Sequence, residues 1–213
     1  MSLPKKFTTK QFLVKLEEGG DNGIINFRNI DLRHVDMRDR ELREKFHEIT
    51  EYAAKKRQEQ PFFIDFTGAN ISGRDFSGYN LTGVIFSNVN AEHTVFVGAD
   101  LSDVQFDGAN LKDADLRNTK MSYAKLYNAS IDGVNFDGAN LINAYGLLLS
   151  DPDEETIRRL GAVASIRDTK FPPRIENIRD KIESAIEENN SRNKRKNSFF
   201  LISEQELVPE NDW

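Results

Sequence analysis

The chain has 213 residues, of which 38% are apolar and 30% charged, with a net charge of −6 and no cysteine. The length holds one domain with appendages, or two small ones. Lack of cysteine excludes a disulfide framework, a cysteine-ligated zinc site, an iron–sulfur cluster and a cysteine nucleophile. The acidic balance argues against binding nucleic acid through bulk positive charge. No apolar run approaches the roughly 18 residues of a membrane helix, and Met1–Phe7 carries two lysines with no apolar stretch behind them, unlike a secretory leader. Fifteen phenylalanines stand against five tyrosines and one tryptophan.

Taken in chain order, Thr8-x-x-Gln11 is a capping box and Gly19-Gly20 a stop. They predict a helix over 8–18 that turns Phe12, Leu13 and Leu16 inward, within an N-terminal cap of residues 1–24. Three units follow, Ile25-Asn-Phe27, Ile30-Asp-Leu32 and Val35-Asp-Met37. Residues 40–60 interrupt them. Leu42, Phe46, Ile49 and Ala53 lie at i, i+4, i+7 and i+11, the spacing of an amphipathic helix. Leu42 also stays in register with 27, 32 and 37, so this helix leaves at a corner, either as a packing cover or as a binding decoration.

From Phe66 an apolar residue recurs at every fifth position through Leu141, sixteen slots without a slip. Two residues before each lies a second, mostly small slot, such as Ala69, Val84, Ala99, Ala109 and Ala139. Asp or Asn mostly sits between the two slots. A period of five fits neither a helix nor a flat strand; it fits a coil that turns a corner every five residues. Asp and Asn suit such corners because their side chains bond nearby backbone, and Gly relieves crowding there. The departures are Ala91, small for a central slot beside an enlarged Val89; Arg74 in an inward slot, expected to reach solvent or a carboxylate; and Thr94 and Thr119, which can bond locally.

Gly-Ala-Asn-Leu and Asp-Phe-Ser-Gly at five-residue spacing resemble the pentapeptide-repeat proteins, over residues 25–39 and 61–145. The resemblance implies an all-β solenoid: a right-handed quadrilateral β-helix of about five coils, four repeats per coil, with both apolar slots inward. To it the sequence adds the N-terminal capping helix, the inserted helix and a C-terminal α-helical region. A coil of twenty residues then stacks Phe66, Phe86, Phe106 and Leu126 on one face and Phe76, Phe96, Leu116 and Phe136 on another. The β-helix spans 25–147 with its insertion at 40–60.

Residues 148–190 read as C-terminal helices. One starts at Ser150-x-x-Asp153, and a second opens at Pro172-Pro173 with the stripe Ile175, Ile178, Ile182, Ala185 and Ile186. That stripe packs on the β-helix or on a second copy in a homodimer. Residues 189–198 are polar and basic and read as a linker, whose Arg192, Lys194, Arg195 and Lys196 could also touch nucleic acid or acidic lipid; the flexible tail spans 191–213. Phe199, Phe200, Leu201 and Ile202 then form an apolar cluster suited to docking on the chain's own domain or a partner.

Three histidines, His34, His47 and His93, show no metal-site or triad spacing in sequence, and no phosphate-binding glycine motif occurs. The reading is therefore a non-enzymatic scaffold for an unidentified protein partner, with no catalytic residue, cofactor, metal or small-molecule substrate and with nucleic acid disfavoured. The protein-binding candidates are Phe199, Phe200, Leu201, Ile202, Ile175, Ile178, Ile182, Val95 and Val97, with Ile85, Tyr123 and Tyr127 as further outward apolar residues.

The resemblance implies a bacterial regulator in the cytoplasm or an effector delivered into a host cell, the latter compatible with Glu204, Glu206 and Glu210. It also implies an alternative: mimicry of DNA toward a type II topoisomerase such as gyrase, as in quinolone resistance. That mechanism needs a long negative stripe. Segment 61–150 holds ten acidic and five basic residues, but its columns alternate in sign: Glu92, Lys112, Asp132; Asp100, Lys120; Arg117, Asp137. Five coils spaced by ~4.8 Å span only about 25 Å, short of one DNA turn of ~34 Å.

Overall fold

The computed structural model describes residues 7–18, 24–56, 63–146, 169–171 and 179–205, with backbone alone for 53–56 and 193–205. Its regular elements are α1 (Thr9–Glu17), β1 (Ile24–Asn26), α2 (Arg40–Lys56), β2 (Phe63–Asp65) and α3 (Arg179–Gln205).

Each five-residue unit is a turn followed by a single bridging residue. The Ala69 amide donates to the Phe66 carbonyl at 2.8 Å, closing a β-turn whose third residue, Gly68, has φ +69°. A positive φ at that place favours Gly, with Asn and Asp next. Asn88, Asp103, Asp113, Asn118 and Asn128 hold the same corner at φ 55–58°. The residues between turns pair in parallel with those twenty positions on, as in Asp65↔Ile85, Asn70↔Asn90, Asp75↔Val95 and Asn80↔Asp100. Four bridges in each twenty residues make the coil four-sided. The Phe66 amide donates to the Ile85 carbonyl at 2.8 Å and the Ile85 amide to the Ile64 carbonyl at 3.0 Å, so successive coils satisfy each other's backbone.

Both inward slots are buried. Phe27, Phe66, Phe86 and Phe106 stack at centroid distances of 5.0, 5.0 and 5.3 Å. Phe76 and Phe96 form the second column at 5.5 Å. The columns meet edge to face, with Phe76 and Phe86 at 6.3 Å and 74°, a favoured aromatic geometry. Ala91 is fully buried beside Val89. The Thr119 hydroxyl donates to the Leu116 carbonyl at 2.7 Å within its own unit, whereas the Thr94 hydroxyl crosses to the Ile71 carbonyl of the preceding coil at 3.0 Å.

The stack is closed at its start by α1. Its capping box forms as expected: the Gln11 amide donates to Thr8 Oγ1 and the Thr8 amide to Gln11 Oε1. Phe12 stacks on Phe27 at 4.3 Å, and Phe12 and Leu16 are buried, with Leu13 partly so. β1 pairs with β2 in register Ile25↔Ile64, and Asp31 bridges Asn70. This offset of 39 replaces the usual 20, so nineteen additional residues are inserted around α2. Leu42, Phe46, Ile49 and Thr50 are buried, which makes α2 a packing cover on its inner face.

Beside α2 the first coil departs from the ladder. Arg74 and Tyr79 occupy small inward slots, and two of their side-chain bonds reach main-chain carbonyls of the first coil. Arg74 Nη1 donates to the Val35 carbonyl at 3.1 Å and the Tyr79 hydroxyl to the Met37 carbonyl at 2.6 Å. Arg74, expected to reach solvent or a carboxylate, is half-buried and bonds a backbone carbonyl, because the first coil lies within range of its guanidinium.

At the far end, Thr169-Lys170-Phe171 returns to the stack in repeat register. Lys170 bridges Asn140; the Leu141 amide donates to the Lys170 carbonyl at 2.7 Å and the Lys170 amide to the Ala139 carbonyl at 2.8 Å. Thr169 and Phe171, both buried, imitate the small and central slots of Ala139 and Leu141. A region read wholly as helical thus contains a bridging segment, since three residues are too short to show a period. Ile182 and Ile186 of α3 are buried in the same core, so this part of the stripe packs on its own chain; Ile175 and Ile178 lie outside the described residues. α3 runs to Gln205, through the expected linker and into the expected flexible tail. Its sequence from 179 to 205 has no Gly or Pro, and Arg192 pairs with Glu188 one turn back at 3.6 Å. The helix expected from Ser150 lies outside the described residues.

Candidate interaction surface

The outer face is built by the residues between and after the inward slots. Asp and Asn before each central residue accept from the amide two residues on, as Asp75 does from Ser77 at 2.9 Å and Asn80 from Thr82 at 3.1 Å. Asn70, Asn90 and Asn110 add a side-chain ladder between coils at 3.4 and 3.1 Å.

Charges are paired along the columns. Lys112 Nζ lies 3.8 Å from Glu92, and Lys120 Nζ 3.4 Å from Asp100. Arg117 instead pairs with Asp115 of its own unit at 2.7 Å, because the Asp115 carboxylate is two residues back on the same turn. Burial pushes the Asp100 carboxyl up, but hydrogen bonds from Ser102 and the Lys120 ammonium outweigh it, leaving the group below its ordinary value. In the first coil, a bidentate bond from Arg33 brings Asp31 down to about 2. Burial pushes the Tyr79 phenol up to about 12, against the opposing effect of Arg43, whose guanidinium lies 5.4 Å over the ring.

Val95 and Val97 are half-buried. Val95 stands between Asp75 and Asp115 in its column, and Val97 between Ser77 and Arg117, so they are single apolar steps in polar ladders. Ile85 is likewise half-buried, between Asp65 and Gln105. Ile182 is fully buried and offers nothing to a partner, because α3 lays it against the core. Phe199, Phe200, Leu201 and Ile202 lie on the last turns of α3, with side chains outside the described residues, as Ile175 and Ile178 are entirely.

Among the described residues the exposed large apolar side chains lie elsewhere: Val14, Ile24 and Tyr52 toward the start, and a group of four toward the end. Tyr123, Tyr127, Ile142 and Tyr145 are 49, 47, 40 and 45% exposed. They sit together on neighbouring coils: the Tyr123 amide bonds the Ile142 carbonyl at 3.4 Å, and Tyr145 bridges Lys125, between the two other tyrosines. Tyr127 lies against Gly146, where a Cβ would come 2.3 Å from the Tyr127 nitrogen. Sequence reading singled out Tyr123 and Tyr127. It missed Ile142 and Tyr145, although adding twenty to 122 and 125 brings them in. It also missed the approach of Glu92, His93 and Asp113, whose ligand atoms all lie within 4.8 Å of one another.

No helix among the described residues is long and apolar enough to cross a membrane. Residues 64–136 match the family model described as a pentapeptide repeat region. No curated protein matches the chain. Among solved structures, a pentapeptide repeat protein of the Arabidopsis thaliana thylakoid lumen is 21% identical, covering 56% of this chain and 88% of its own, with a TM-score of 0.39. HetL, involved in heterocyst differentiation regulation in the cyanobacterium Nostoc, is 19% identical over 60% of this chain and 46% of its own, with a TM-score of 0.32. Full-length QnrB1, a plasmid-mediated fluoroquinolone resistance protein, is 12% identical over 74% and 81%, with a TM-score of 0.28. Residues 64–136 are thus a pentapeptide repeat region, and its five-residue register continues to Leu141.

Proposed function

We propose that this protein is a non-enzymatic scaffold that binds a protein partner through the tyrosine surface of its C-terminal coils. The observation that carries this reading is the patch of Tyr123, Tyr127, Ile142 and Tyr145 around Lys125, on a face whose earlier coils present Ser87, Gln105 and Asp107. Tyrosine supplies large contact area with little conformational entropy to lose, and is enriched where binding energy concentrates. The about five right-handed coils expected for this sequence would hold these side chains on a rigid backbone, which lowers the ordering cost of association. Phe199–Ile202 at the end of α3 form a second candidate contact. Localisation in a bacterial cytoplasm or in a host cell stays with this reading as its expectation.

A photo-crosslinking residue placed at 127 tests it. Discrete adducts in native lysate are expected at 127 and not at 87, two coils nearer the start in the same column; equal labelling at both would refute the patch. Topoisomerase mimicry is the less favoured reading, because Lys112 and Lys120 neutralise the acidic columns that it needs. A supercoiling assay in which purified protein neither inhibits nor protects gyrase at micromolar concentration would dispose of it.

A further inference from the structure

We propose that Glu92, His93 and Asp113 form a binding site for a divalent transition-metal ion of the zinc class, linking two adjacent coils. His93 Nε2 lies 3.9 Å from Glu92 Oε1 and His93 Nδ1 lies 4.0 Å from Asp113 Oδ2. Choosing one ligand atom from each residue leaves all three within 4.8 Å of one another. Bonds of ~2.0–2.2 Å to a tetrahedral ion put ligand atoms roughly 3.3–3.5 Å apart. The largest contraction is about 1.3–1.5 Å, within reach of side-chain rotation with the backbone fixed.

That backbone is held by the ladder. The His93 amide donates to the Lys112 carbonyl at 3.0 Å and the Asp113 amide to the Asp132 carbonyl at 2.8 Å. His93 and Asp113 occupy the same corner of successive coils, both at φ 56°. The corner above is Gly133, where a Cβ would come 2.0 Å from Asp113 Oδ1; glycine therefore leaves room for the carboxylate to lean over the corner. One imidazole and two carboxylates are ligands that zinc accepts, with water completing the shell.

One neighbour opposes the ion. Lys112 Nζ, 3.8 Å from Glu92 Oε1, competes for the same carboxylate. The site therefore differs from a generic anionic surface in a testable way, since removing this one cation strengthens it selectively.

The test is zinc chloride titration by calorimetry into the metal-free full chain, in low-salt buffer at pH 7.5. The expected result is one ion per chain, at least about tenfold weaker binding in His93→Asn and in Asp113→Asn, and at least twofold tighter binding in Lys112→Ala. Asn suits the positive φ at both corners, so both variants keep the fold, checked by unchanged circular dichroism. His47 lies 3.5 Å from Glu51 on α2 and supplies a control; His47→Ala leaves the binding in place. Absence of binding up to 1 mM zinc, or binding unchanged by His93→Asn, overturns the proposal.

Discussion

The Tyr79 hydroxyl donates to the Met37 carbonyl at 2.6 Å, so a side chain of the second coil performs a task that backbone amides perform elsewhere in the ladder. The ring is buried between Phe46 and Phe76, edge-on to both at 5.5 and 5.4 Å. Tyr79→Phe keeps the ring and orphans the buried carbonyl. It should lower unfolding free energy by about 1–3 kcal/mol, measured by urea denaturation with an unchanged m-value.

Burial of the same side chain makes the fold sensitive to alkali. Burial raises the folded Tyr79 phenol to about 12 from an ordinary 10.0. Its contribution is complete below pH 10 and lost as pH rises through about 12, because the unfolded phenol ionises first. Wild-type stability should fall across that window, and the fall should be shallower in Tyr79→Phe.

Gly98 and Gly108 share φ +68° but not surroundings. A Cβ on Gly98 meets nothing within 4 Å, whereas one on Gly108 meets Asn88 Oδ1 at 2.4 Å. Gly98→Ala should cost about 1–2 kcal/mol from backbone strain alone. Gly108→Ala should cost more, and Asn88→Gly in the same chain, which removes the clashing side chain and suits φ 55°, should remove the excess, read as the difference in melting temperature among the three variants.

The charge ladders align coils more than they stabilise them. Lys120, 70% exposed, reaches Asp100 at 3.4 Å. A double-mutant cycle on this pair should give a coupling of roughly 0.2–1 kcal/mol, diminished at 0.5 M salt.

Much of this architecture was legible because its period is strict. Five-residue spacing located every inward slot from 66 to 141, the twenty-residue coil located the phenylalanine columns, and seven of fifteen phenylalanines fall in central slots. The low apolar content follows from a coil that turns only two of each five residues inward. The capping box at Thr8 was legible for a local reason, being complete within four residues. What could not be read lies where the period breaks. Arg74 was visible as a charge in an inward slot and Tyr79 was not singled out; their partners Val35 and Met37 lie across an insertion of nineteen residues. Thr169-Lys170-Phe171 shows no periodicity because it is a single unit. Helical continuation past 190 was hidden by a polar composition shared by linkers and solvated helices.

The central claim is that the C-terminal coils bind a partner through their tyrosines. Its most direct measurement is quantitative capture from native lysate by wild-type protein and by the triple variant Tyr123→Ser, Tyr127→Ser, Tyr145→Ser. All three side chains are nearly half exposed, so the melting temperature should change by only a few degrees. A crosslinked partner that is retained by wild type and lost, by at least tenfold, from the triple variant is the predicted result. Equal retention by a folded triple variant would contradict the account.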